Sequence, residues 1–307
     1  MSSRLAKQAV LLVVAAHQAV ADTCYAIAFS SGDDSASYQA GVLKGLVETL
    51  GADQTAYSAV SGVAGGAVNA AILGSYPVGQ EADAAERMIT YWQNASNSKL
   101  YKDWLGGIVE GLTVKGGVYN DALLKTFLAT ELADIGDMQR YVDVGITNIL
   151  TGAFDENIAS LDSNLQDVIF ASFSYPGFFP PAETLGSSFF DGSVIWDLDI
   201  FSAVNKCLET HSDTDVVVDV VMTSRKTLKT VDASNFNALQ MLFRYLEVAR
   251  YYGVMDSLLR AQFAYPHINF RYLVSPTADL PSSLYPLVSN FNLNICRTST
   301  KARLTQQ

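Results

Sequence analysis

Short apolar runs closed by turn residues recur along the chain, and between them lie stretches with apolar residues three and four apart. The run CYAIAF at residues 24–29 has the look of a strand buried on both faces, and it ends abruptly in the polar SSGDDS. From Ser37 to Leu50 the apolar residues fall at helical spacing, with Ser37 placed to cap the helix. AYSAV at residues 56–60 predicts a second strand, and the small residues from Gly65 to Leu73 predict a close-packing helix after it. Buried strands are predicted again at 140–149 and 214–224, with a late strand at 267–274. Helices are predicted near 81–95, 119–131, 163–172, 199–210 and 237–263. The last is long and rich in aromatics, and its aromatic stripe is expected to face the core. Strand, loop, helix, strand, sharp turn and helix in that order imply a parallel sheet covered by helices. The fold class expected is α/β, a three-layer α/β/α sandwich with a mostly parallel central sheet.

Composition supports a globular chain with a sizeable core: 49% of the 307 residues are hydrophobic and 17% charged. The formal net charge is −11 and no basic stripe is visible, which argues against nucleic acid and against electrostatic capture by anionic membranes. Neither repeats nor a Pro/Gly/Ser-rich junction divide the chain, so residues 22–307 are expected to form a single domain.

The first residues change the picture of where the chain works. Arg4 and Lys7 precede a wholly apolar run at residues 9–16, and Ala19-Val20-Ala21 is a small-x-small sequence. This is the pattern of a secretory signal peptide over residues 1–21, with an apolar run too short to span a bilayer. The mature chain would be secreted or lie in the secretory-pathway lumen. There Asn94-Ala95-Ser96 would be a glycosylation sequon. Any one pair among Cys24, Cys207 and Cys296 could join in a disulfide, or all three could stay as buried thiols.

Candidate chemistry gathers in three stretches. SSGDDSASYQAG follows the first strand, VSGVAGGAVNAA follows the second, and SSFFDGSVIWDLDIF comes at residues 187–201. Their order, spacing and context resemble the patatin-like phospholipase family, in which a Gly-rich loop, a G-x-S-x-G elbow and a D-G-[GA] motif occur in that sequence. YPGFFPP at residues 175–181 resembles a proline-rich segment of the same family. The resemblance covers residues 24–208. It implies a hydrolase fold in which an elbow serine attacks an acyl ester, an aspartate serves as its base, and the Gly-rich loop binds the oxyanion. No cofactor is implied. A Ser-Asp dyad needs no histidine, and His211 and His267 lie in no motif.

Residue by residue the match is incomplete. Asp191 stands at the acid/base position, and Gly192 follows it, with Ser193 replacing the second small residue. Gly62 and Gly66 frame the elbow, but the nucleophile position is Ala64, and a methyl group cannot attack an ester. The oxyanion loop reads Ser31, Gly32, Asp33, Asp34, with one glycine remaining and Ser35 where the family has a basic residue. Asp33 is expected to set a negative charge beside a site meant to stabilise one, where losing a single good donor already costs about 3 kcal/mol. Two changes at separate motifs favour a natural loss of activity over an engineered substitution at Ala64.

The expected function is therefore that of a degenerate, serine-lacking patatin-like protein, inactive as a lipid acyl hydrolase, with a lipid or acyl-ester ligand as candidate partner. The alternative is an active hydrolase using another nucleophile with Asp191. A third is a secreted protein reusing the scaffold for structure. No metal-binding spacing and no phosphate loop ending in G-K-[ST] are present.

Overall fold

A computed structural model describes residues 23–156, 161–278 and 280; the leader expected at 1–21 and Cys296 lie outside the described residues. Eight strands form one mixed, mostly parallel sheet in the order β10-β9-β1-β2-β5-β8-β7, with β6 paired to β5. The strands are β1 Cys24–Phe29, β2 Tyr57–Val63, β5 Tyr141–Asn148, β6 Phe154–Glu156, β7 Ala182–Thr184, β8 Ser187–Asp191, β9 Val216–Val221 and β10 Asn269–Val274. Two short strands, β3 Lys102–Asp103 and β4 Tyr119–Asn120, pair antiparallel apart from it. The helices are α1 Ser37–Leu50, α2 Gly65–Gly74, α3 Glu81–Asn97, α4 Gly107–Glu110, α5 Ala122–Glu131, α6 Leu161–Phe173, α7 Phe201–Leu208 and α8 Ala238–Ala264.

The period of two in β1 divides the molecule into layers. Ile27 and Phe29 join a core with α1, α2, α3, α5 and α6, while Cys24, Ala26 and Ala28 join a second core with α7 and α8. A sheet with helices on both faces is the three-layer arrangement expected. All ten residues of α2 are buried, which is why that helix is built of Gly, Ala, Val, Ile and Leu with only Asn69 polar.

β10, β9, β1, β2 and β5 run parallel; the crossover from β1 to β2 passes through α1 and that from β9 to β10 through α8. From β5 onward the pairing turns antiparallel, to β6 and to β8. β7 and β8 form a tight hairpin through Leu185 (φ 52°) and Gly186 (φ 74°), the pair of left-handed residues a two-residue hairpin turn of primed type requires. These short strands carry no long apolar run, and the periodicity that predicts the parallel strands misses them.

Three expectations change. Ser37 does not cap α1: a 3-10 turn at Asp33–Ala36 precedes the helix and Ala36 takes the cap position. The helix predicted from 119 begins at Ala122, because Tyr119 and Asn120 pair as a strand. The aromatic stripe of α8 is in large part exposed. Val254, Leu258 and Ala261 enter the second core, but Tyr245, Tyr252 and Phe263 face outward with Met241, Leu242 and Leu259. A 27-residue helix is about 40 Å long, whereas the six-residue strands reach about 20 Å, so the sheet is too short to cover the whole of the helix. Of the three cysteine pairings left open, Cys24–Cys207 is formed, tying the start of β1 to α7 across the second core.

Candidate active site

β2 runs into α2 through a single residue, Ala64, at φ 50° and ψ −119°. For a residue with a Cβ this backbone costs on the order of 1–3 kcal/mol. Glycines on either side make the turn feasible. A Cβ on Gly62 would stand 2.2 Å from the Gly66 carbonyl oxygen, and one on Gly66 would stand 2.5 Å from that of Ser30 and 2.6 Å from that of Phe29. Gly65 approaches the loop opposite as closely, its Cβ position lying 2.4 Å from the Asp33 carbonyl oxygen. The Ala64 N–H donates to Ser172 Oγ of α6 at 2.7 Å, and that hydroxyl donates to the Gly145 carbonyl of β5 at 2.8 Å.

Asp191 ends β8. Sheet register sets it opposite the elbow: Val63 pairs with Gly145 and Ile146 pairs with Asp191, so Ala64 and Asp191 flank β5 at neighbouring positions. Two strand spacings put their backbones about 10 Å apart, within reach of side chains pointing at one another. Gly192 sits so close to β5 that a Cβ there would be 2.4 Å from the Gly145 carbonyl oxygen. The Asp191 N–H donates to the Ser174 carbonyl at 3.1 Å, and Thr147 Oγ1 donates to the Asp191 carbonyl at 3.1 Å. Oδ1 accepts the Ser193 N–H at 2.8 Å, while the buried Oδ2 has no hydrogen-bond partner among the described residues. Burial pushes the Asp191 carboxyl up to about 7; Asp33 adds to the rise, and the Ser193 N–H and Arg250 oppose it.

The loop at Ser31, Gly32, Asp33 and Asp34 is held from behind and from above. Gln39 Nε2 donates to the Ser30 carbonyl at 2.7 Å; Asn69 Nδ2 donates to the Ala36 carbonyl at 3.0 Å and to Gln39 Oε1 at 2.8 Å; Trp92 Nε1 donates to Asn69 Oδ1 at 2.8 Å. This buried network joins α1, α2 and α3 to the loop. Asp33 takes a left-handed φ of 46° and starts the 3-10 turn, so two helix beginnings, at Asp33 and at Gly65, meet at the elbow. The first N–H groups of a helix have no partner within it and favour negative charge.

Asp33 does not stand there uncompensated. Arg250 of α8 reaches its carboxylate at 3.3 Å, and also meets Asp197 Oδ1 at 3.0 Å and Ser31 Oγ at 3.1 Å. The Ser31 hydroxyl in turn donates to Asp197 Oδ1 at 2.5 Å. Burial works against the Arg250 charge, but Asp197, Asp33, Asp191 and Tyr175 together overcome it and hold the guanidinium firmly protonated. Burial also pushes Tyr175 up to about 12, with Arg250 opposing and the three aspartates reinforcing the rise. A cation therefore does reach the loop, from a helix 217 residues away rather than from position 35.

Arg250, Asp197, Tyr175 and Ser172 have no place in the motif reading. Asp197 and Tyr175 lie inside quoted stretches, but nothing local marks a role for them. Arg250 lies mid-helix among aromatics, and only the packing of α8 brings it in. The nearby serines are engaged elsewhere: Ser61 Oγ donates to the Asp199 carbonyl, and Ser31 and Ser172 are fully buried in the contacts above. Asp143, Glu156 and Asp199 bring carboxylate oxygens within 4.8 Å of one another, a grouping their sequence spacing hides. Burial, with Asp199 beside it, pushes the Asp143 carboxyl far up, as expected where buried carboxyls crowd together.

The family described as patatin-like phospholipase matches residues 27–204. No curated protein sequence matches the chain. A crystal structure of VipD from Legionella pneumophila is similar over 91% of this chain and 67% of that one, at 12% sequence identity and a TM-score of 0.40.

Proposed function

This chain belongs to the patatin-like phospholipase family, and from that premise we propose that it is a secreted member that binds a lipid or acyl-ester ligand without hydrolysing it. One observation carries the reading: the elbow keeps its strained backbone and its glycine packing, yet presents the methyl of Ala64, while Asp191 Oδ2 is buried and unpartnered. An aspartate near pH 7 would suit a general base, but no hydroxyl stands at the elbow to give it a proton. The disulfide Cys24–Cys207 suits an oxidising compartment and supports the secretory reading of residues 1–21.

The second reading keeps hydrolysis and has Asp191 activate a water. The carboxyl pushed up to about 7 favours it; the buried and engaged serines argue that no protein nucleophile takes the place of the lost one. Hydrolysis of fluorogenic short- and long-chain acyl esters and of a phospholipid separates the two readings. The natural chain is expected to show no turnover above background, and Ala64→Ser to gain turnover that a further Asp191→Asn removes. Turnover by the natural chain that disappears with Asp191→Asn would establish the second reading instead. Fatty acids or lysophospholipids are expected to raise the melting temperature, and no shift with any of them would remove the lipid ligand.

A further inference from the structure

α8 is apolar on two opposite sides. Val254, Ser257, Leu258 and Ala261 pack inward, and Arg250 reaches the loop at Ser31–Asp33 from the same side. At 3.6 residues per turn the other side carries Met241, Tyr245, Val248, Tyr252, Met255 and Leu259, within a band roughly 80° wide. A helix apolar on both sides is expected to be covered on both. Among the described residues the outer side is not covered: Tyr245 is 65% exposed, Tyr252 62% and Phe263 84%, with Met241, Leu242 and Leue259 each exposed by about half.

The six positions of the band are spaced four, three, four, three and four residues apart, which is the narrow a/d seam of a coiled coil. That spacing reads the same in both directions. Two copies of α8 can therefore lie antiparallel about a two-fold axis at residue 250. Met241 then meets Leu259 of the second copy, Tyr245 meets its Met255, and Val248 meets its Tyr252. Each tyrosine faces a smaller or more flexible side chain, whereas a parallel pair would set tyrosine on tyrosine twice. Such a contact uses the same patch on both copies and closes at two.

The centre of the seam is already ordered. The Tyr252 ring sits edge-on to that of Tyr251 with centroids 5.2 Å apart, and Tyr251 OH donates to the Lys226 carbonyl at 2.8 Å, so this anchor loses little freedom on pairing. At roughly 200 Å² per aromatic side chain, Tyr245, Tyr252 and Phe263 leave about 400 Å² uncovered on each copy. Two copies bring roughly 800 Å² of aromatic surface together, and Met241, Leu242 and Leu259 carry the total past the ~1,000 Å² of a specific interface.

We propose that α8 is a dimerisation helix, against which a second copy of this chain packs antiparallel from Met241 to Leu259. A lipid surface fits the band less well. It needs no heptad register, and helices that lie in one carry Lys and Arg along their polar flanks. Beside this band Asp256 and Arg260 neutralise each other at 2.6 Å, in a chain of net charge −11. The two-fold axis passes at the level of Arg250, so pairing would steady α8 where it neutralises Asp33. The proposal stands on this helix and holds whether or not the chain hydrolyses esters.

Sedimentation velocity of the full chain from about 1 to 100 μM tests it, and a species of twice the chain mass is expected to grow with concentration. Tyr245→Glu and Tyr252→Glu put a charge into the seam at exposed positions. Each is expected to keep the melting temperature of the isolated chain and to weaken pairing about 100-fold or more. Leu112→Glu, at an exposed apolar residue outside α8, is expected to leave pairing unchanged. In a Cys296→Ser background, Met241→Cys and Leu259→Cys chains mixed with a short bismaleimide are expected to crosslink to each other and neither to itself. Crosslinking of each to itself would mean a parallel pair and overturn the arrangement. A monomer at every concentration, or a dimer indifferent to both glutamates, overturns the proposal. So does a monomer that sediments with phosphatidylcholine vesicles and loses them with Tyr252→Glu, which would assign the band to a lipid surface.

Discussion

The elbow at residues 62–66 and the loop at residues 31–36 face each other across one site, and they hold their shapes by different means. The elbow holds its shape chiefly through contact distance: Gly62 against Gly66, Gly66 against Phe29 and Ser30, Gly65 against Asp33, with one hydrogen bond from the Ala64 N–H to Ser172. No larger residue fits at those positions, whatever becomes of the side chain at 64. The loop holds its shape through charges and hydrogen bonds drawn from elsewhere in the fold, with Arg250, Asp197, Gln39 and Asn69 the main supports. Geometry and chemistry are therefore separable. A backbone can be pinned by sterics whatever side chain it carries, whereas a polar loop can carry a charge as long as a counter-charge arrives.

Removing that counter-charge breaks the comparison most sharply. Arg250→Met leaves Asp33 and Asp197 without their cation and Asp191 without its field, and is expected to cost about 5 kcal/mol at pH 7, the upper end for an orphaned buried charge. The deficit should shrink as pH falls and Asp197, whose carboxyl burial pushes up, takes a proton. Urea unfolding at pH 7 and at lower pH measures both; a loss below about 1 kcal/mol would mean that sterics hold the loop as they hold the elbow.

Asp191 links the two regions and sets the next effect. Its folded-state pKa of about 7 lies above the ordinary 3.8, so the native protein keeps a proton that the unfolded chain has released. Stability from this group is full below about pH 4 and falls as pH rises to about 7. Asp191→Asn removes the titration and is expected to stabilise by about 2–4 kcal/mol at pH 8 and by little at pH 4. Parallel pH profiles for the two proteins would show that the carboxyl is not held neutral.

The smallest effect sharpens the steric side. Ala64→Gly relieves a backbone strain of roughly 1–3 kcal/mol and gives back roughly 0.5–1 kcal/mol in unfolded-chain entropy. A net gain of about 1 kcal/mol in a denaturant midpoint is expected, and a loss would show that the elbow is unstrained at this position.

The motif residues were legible because each is marked locally. Gly62, Ala64 and Gly66 sit where an apolar strand meets a small-residue helix, and Asp191-Gly192 follows an aromatic run. The arginine that neutralises Asp33 was illegible, because α8 gives no sign of which of its faces meets the loop. The outward aromatics of that helix misled for the same reason: periodicity finds an apolar face but not the length of sheet available to cover it.

The sequence by itself determined the alternation that builds a parallel sheet between two helical layers, the small residues that frame the elbow, and the alanine at its centre. Those are local facts, fixed by side-chain size and by the periods of strand and helix. Only the tertiary structure decided which charges meet. Arg250 with Asp33, Asp143 with Asp199 and Cys24 with Cys207 are brought together by the packing of elements far apart in the chain. Electrostatic and covalent pairing depend on distance in space, and nothing in the spacing along the chain encodes that distance.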